Sequence, residues 1–104
     1  MEQRSKIESY IGFSIRAGKC TFGLNSVQTL KKAKVIIVCK SASDNTKKEG
    51  KKIANKLKAK LFFTCACLLD DYTHRENCKI IAIGEPSLAK AIEKNCENEL
   101  IAGE

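Results

Sequence analysis

Long apolar runs are missing from this 104-residue chain, and so are the cysteine and histidine spacings of a zinc site. No uninterrupted apolar stretch approaches the roughly 18 to 20 residues that a membrane-spanning helix needs. The opening Met1-Glu2-Gln3-Arg4-Ser5-Lys6 leads into an amphipathic pattern and lacks the apolar centre of a signal peptide. A cytoplasmic protein with no membrane partner is therefore expected. The chain has no C-x-x-C pair and a single histidine, which argues against the common four-ligand zinc arrangements. Internal repeats, low-complexity tracts and linker composition are also absent, so the length predicts one domain over 1–104, with a core over about 4–96 and a tail over 97–104.

Cysteine itself is plentiful, at positions 20, 39, 65, 67, 78 and 96. Cys39, Cys65 and Cys78 lie in or beside runs that read as buried strands, where a free thiol behaves as a small hydrophobe. Reduced structural thiols in a reducing compartment follow, with no metal and no other cofactor expected. Cys65 and Cys67 would share one side of a continuing strand, the single arrangement that leaves room for a soft metal or redox chemistry.

Charge is abundant and lopsided. The net charge is +7, yet residues 1–60 hold 15 Lys/Arg against 4 Asp/Glu, whereas residues 61–104 hold 4 against 8. A basic first part beside an acidic remainder points to a polyanion-binding face, with nucleic acid the commonest partner of a small basic domain. The plainer alternative is a lysine-rich surface that merely solvates the fold.

Helical and strand patterns alternate along the chain. Ile7, Tyr10, Ile11, Ser14 and Ile15 form a stripe at helical spacing over 4–17. Cys20-Thr21-Phe22 suits a short strand, and Leu24, Val27 and Leu30 a brief helix ending near Lys31-Lys32. Val35–Cys39, Leu61–Cys65 and Ile80–Ile83 are continuous apolar runs typical of strands covered on both faces, the last of them the final strand. Between them, Ser41 and Asp44 stand at capping-box spacing before a helix to about Leu57, with Thr46, Gly50, Ile53, Ala54 and Leu57 inward and lysines outward. Pro86, the only proline, suits the first turn of a terminal helix with Leu88, Ala89, Ile92 and Cys96 inward. Strands of this buried type separated by helices predict an α/β protein, a three-layer α/β/α sandwich around a small mixed four-stranded sheet.

The stretch from Arg16 to Val27 is the candidate site. Gly18 and Gly23 permit backbone conformations and close approaches that a Cβ would obstruct, and Asn25 and Ser26 suit the start of a helix whose free N–H groups face an anion. Together with Ile11-Gly12-Phe13, Arg16-Ala17-Gly18-Lys19, Gly23-x-Asn25-x-Val27, Lys32-Ala33-Lys34-Val35-Ile36-Ile37-Val38 and Ala42-Ser43-x-Asn45-Thr46-Lys47-Lys48, it resembles the kink-turn-binding ribosomal-protein superfamily. That group contains ribosomal proteins seven-Ae and thirty-e, and the likeness is greatest to its bacterial YlxQ-like branch, over about residues 5–95.

The resemblance implies a non-enzymatic domain that docks on kinked RNA. The implied contacts are Gly18, Lys19, Gly23, Leu24, Asn25, Ser26 and Lys32, with Arg75 from the loop before the last strand and His74 beside it. Lysines would position the protein on phosphates, and Asn25 would read base edges. Structured RNA is the implied partner, ribosomal proteins are further candidates, and a monomer is expected. Ser26 and Thr29 stand where the family's kink-turn readers commonly carry Glu and Lys, which implies weaker base readout. Two other classes compete: an interaction scaffold of the same fold without specific RNA readout, and a small hydrolase using Asp70, Asp71, His74 and Glu76. The hydrolase reading lacks a nucleophile and an oxyanion partner.

Overall fold

In the computed structural model the described residues are 6–65, 68–73, 78–95 and 100–102. They form α1 (Lys6–Arg16), β1 (Cys20–Phe22), α2 (Leu24–Gln28), β2 (Val35–Val38), α3 (Asp44–Leu57), β3 (Lys60–Thr64), α4 (Leu69–Thr73), β4 (Ile80–Ile83), α5 (Pro86–Lys94) and β5 (Leu100–Ala102). The sheet runs β1-β4-β2-β3-β5, with β2 and β3 parallel and every other pair antiparallel. α2 and α3 lie against one face, and α1 packs with α4 and α5 on the other. The α/β sandwich is as expected, but the sheet has five strands.

The fifth strand corrects the reading of 97–104 as a tail. Leu100–Ala102 pairs antiparallel with β3, Thr64 opposite Leu100 and Phe63 opposite Ile101, and Leu100 is buried. A three-residue strand between Glu99 and Gly103 carries too little periodicity to be legible alone. The central strands match their pattern: β2 and β4 are buried at every position, as two-sided cover requires.

Helix boundaries show which local signals prevailed. Ile7 and Ile11 are fully buried on α1, and the buried Ser14 hydroxyl donates to the Ile11 carbonyl at 2.6 Å, which explains a serine in the stripe. The N-cap of α3 is Ser43, whose Oγ accepts from Thr46 N–H at 3.2 Å, in place of the expected Ser41. Ser41 is engaged elsewhere, accepting from Lys79 Nζ at 2.8 Å. Glu85 caps α5, its carboxylate accepting from Ser87 N–H at 2.9 Å, with Pro86 at the first helical position as expected. Gly50 brings α3 against the sheet, since a Cβ there would stand 2.9 Å from Val38 Cγ2.

One helix has no counterpart in the sequence pattern. α4 is a single turn whose Leu69, Tyr72 and Thr73 are buried at i, i+3, i+4 spacing, a signal hidden in the acidic stretch. Its carboxylates have structural partners: Asp70 Oδ1 accepts from Cys78 N–H at 2.8 Å, and Asp71 Oδ2 from Leu68 N–H at 3.2 Å. No helix among the described residues is long and apolar enough to cross a membrane.

Candidate nucleic-acid interface

Gly18 closes α1 rather than facing an open cradle. Its φ is +70°, its N–H donates to the Ile15 carbonyl at 3.1 Å, and Lys19 N–H reaches back to the Ser14 carbonyl at 2.8 Å. That pair of bonds is a Schellman cap, in which the left-handed residue is most easily glycine. Gly23, at φ +85° and ψ 147°, is the N-cap of α2, and a Cβ at either glycine would meet nothing within 4 Å. The glycines are thus required by conformation and not by protein packing against them. Gly23→Ala is expected to cost about 1–3 kcal/mol, the strain of a side chain in a glycine-only region; a denaturant midpoint unchanged from wild type would show that the turn relaxes freely.

Asn25 and Ser26 occupy the second and third positions of α2 instead of its cap, and both side chains are exposed. The first intrahelical bond runs from Val27 N–H to the Gly23 carbonyl at 2.9 Å. α2 is shorter than expected because Thr29 ends it: the Thr29 hydroxyl donates to the Ser26 carbonyl at 2.8 Å, and Thr29 and Leu30 N–H groups make tighter i→i−3 bonds. Ser26 and Thr29 are therefore bonded to each other.

The expected site residues do not form one cluster. Gly23 N–H donates to the Ile80 carbonyl at the start of β4, whereas Gly84 N–H, beyond its end, donates to the Lys19 carbonyl. Lys34 N–H bonds the Ile83 carbonyl at 2.9 Å, which puts the 31–34 segment at that second end as well. At about 3.3 Å per residue, β4 separates the ends by roughly 13 Å. Gly23, Leu24, Asn25 and Ser26 thus belong to one end of the sheet, and Gly18, Lys19 and Lys32 to the other. Arg75 and His74 lie outside the described residues.

Sequence reasoning missed the lysines that do accompany Asn25's end. Lys40 follows β2 there, its N–H donating to Thr64 Oγ1 at 2.9 Å and its ammonium to the Cys65 carbonyl at 3.3 Å. Lys79 stands before β4 on the Ser41 hydroxyl. The signal for them was topological: the C-terminal ends of β2 and β3 and the start of β4 share an edge in the observed register.

Cys39 is buried beneath this end. Burial alone would push its thiol up, but the Ser41 hydroxyl, the Leu69 and Ser41 N–H groups and the Thr64 hydroxyl outweigh burial and hold it below the ordinary thiol range. Its Sγ lies 3.1 Å from Ser41 Oγ and accepts from Leu69 N–H at 3.3 Å. Cys20, Cys39, Cys65 and Cys78 are free thiols, and no group of three or more metal-ligating side chains occurs among the described residues. Cys67 and Cys96 lie outside those residues.

No family model and no curated protein matches the chain. A solved structure titled as a protein with unknown function from Bacillus halodurans is similar, with a TM-score of 0.72, covering 88% of this chain and 96% of that one. At 16% sequence identity, that likeness is one of fold.

Proposed function

We propose that the protein binds structured, kink-turn-like RNA through the sheet end carrying Gly23, Leu24, Asn25 and Ser26, as a non-enzymatic component of ribosomes or another ribonucleoprotein in the cytoplasm. The observation that carries this reading is the coincidence, at that one end, of exposed Asn25 and Ser26 side chains with the ammonium groups of Lys40 and Lys79. The Asn25 side chain makes no hydrogen bond among the described residues, so both faces of its amide are available to base edges. Lysines beside it would hold phosphates without reading sequence. Lys19 and Lys32, at the far end, would contact RNA only where it extends past the kink.

The test compares a kink-turn RNA with a straight duplex of equal length. Asn25→Ala is expected to reduce the preference for the kinked RNA by roughly tenfold while leaving duplex binding unchanged, as removal of a base-reading group does. Lys79→Ala and Lys40→Ala are expected to weaken both RNAs alike and to flatten the salt dependence. Equal, weak, salt-sensitive binding of both RNAs by the wild type would sink the kink-turn reading and leave the scaffold alternative. Identical affinities for Asn25→Ala and wild type would remove Asn25 as the reader.

A further inference from the structure

β5 widens the sheet beyond the helix that covers it. α3 packs on β2 and β3, drawn close by Gly50 against Val38, Ile80 and Leu61. Phe63 and Ile101 are register partners, so they stand side by side on that same sheet face beyond the helix edge. Ile101 is 55% exposed, one of the few large apolar side chains left in water, and Phe63 is half-buried. The gap between α3 and the two strands is a groove of about 470 Å³ lined by Lys40, Lys47, Lys51, Phe63, Thr64, Cys65 and Ile101.

The lining has one sign of charge. Lys47 and Lys51 are one helical turn apart on α3, and Lys40 bounds the groove at the sheet end already proposed to meet RNA. None of the three pairs with a carboxylate among the described residues. An apolar floor bordered only by ammonium groups favours a ligand that presents flat apolar rings and repeating negative charge together, which is what a single nucleic-acid strand does.

We infer that this groove holds a single-stranded RNA segment, its bases against Phe63 and Ile101 and its phosphates along Lys40, Lys47 and Lys51, continuing from the kinked element bound at Asn25's end. The inference rests on the RNA-binding reading and adds a second subsite to it. Lys40 joins the two, since its ammonium is held by the Cys65 carbonyl between them.

The experiment measures, on the full chain, binding of fluorescent oligouridine of about eight nucleotides, an abasic oligomer of the same length and charge, and the kink-turn RNA without single-stranded ends. Wild type is expected to bind oligouridine at least roughly tenfold more tightly than the abasic strand, because stacking supplies the difference. Lys47→Gln with Lys51→Gln, both on the surface of α3, is expected to lower the salt slope for oligouridine by about 0.7 for each phosphate no longer neutralised. The same double variant should change kink-turn affinity less than about threefold, because its phosphates lie on other lysines. Ile101→Ser, at an exposed position, is expected to narrow the gap between oligouridine and the abasic strand while leaving the salt slope unchanged. Equal binding of oligouridine and the abasic strand, or equal weakening of oligouridine and kink-turn RNA in the double variant, would overturn the groove assignment. So would binding of an oligo-glutamate peptide, abolished in the double variant, with oligouridine unbound; the groove would then serve a protein partner. Kink-turn binding that depends on Asn25 with no oligouridine binding would end only this inference, whereas failure of both RNAs would end the RNA reading itself.

Discussion

Gly50→Val is expected to destabilise the protein by about 3 kcal/mol, at the upper end of overpacking costs. A Cβ at this position already stands 2.9 Å from Val38 Cγ2 and 3.5 Å from Ile80 Cδ1. Neither neighbour can retreat, because Val38 and Ile80 are buried on the central strands and paired in register with each other. Two further methyl groups must therefore lift α3 or drive core rotamers off their minima. Gly50→Ala should lose much less, about 1 kcal/mol, since about 1 kcal/mol of recovered helix propensity offsets part of the clash. Thermal unfolding followed by circular dichroism is the measurement, with a fall of roughly 12 to 20 °C expected for the valine variant. A melting temperature within a few degrees of wild type would mean that α3 does not rest on the sheet through Gly50. Because α3 also carries Lys47 and Lys51, the valine variant should weaken single-strand binding as well.

Leu100→Asp is expected to cost about 3 kcal/mol, or to release β5 from the sheet if that is cheaper. Leu100 is buried on the edge strand opposite Thr64, where a carboxylate would be taken out of water. Its cost is capped by the free energy of undocking three residues from β3, because the chain escapes burial of the charge by giving up that pairing. Hydrogen exchange separates the two outcomes. Loss of protection confined to the amides of β3 and β5 would mark strand release, while a uniform loss would mark global destabilisation. Unchanged protection and unchanged stability would show that β5 contributes nothing to the fold. Strand release would also remove Ile101 from the groove and lower oligouridine affinity without touching Asn25.

The two variants probe opposite cases of legibility. The inward position of Gly50 was readable from the helical stripe of Thr46, Ile53, Ala54 and Leu57, because a 14-residue helix repeats its pattern several times. β5 was not readable, since three residues cannot establish a period of two and the strand exists only because β3 offers an open edge. The same holds for α4, whose one turn lies in an acidic stretch. Its Asp70 and Asp71 resemble acid/base candidates in sequence, yet in the fold their partners are the Cys78 and Leu68 N–H groups. Ser41 fitted a capping box by spacing, yet Ser43 holds the cap and Ser41 bonds Lys79 from a distant strand. Spacing cannot distinguish two serines two residues apart when the deciding bond is long-range.

By itself the sequence determined the alternation of helices and buried strands, the conformational need for Gly18 and Gly23, and the exposure of Asn25 and Ser26. Each follows from local physics: side-chain periodicity, the φ that a residue without a Cβ adopts, and the solvation of short polar groups. The tertiary structure alone decided which of the candidate residues are neighbours. Along the chain Lys19 is four residues from Gly23, but β1 lies between them and carries them to opposite ends of the sheet, while Lys40 and Lys79 arrive beside Gly23's end from distant strands. A strand converts nearness in sequence into separation at about 3.3 Å per residue. Register then brings together groups that no local pattern could relate.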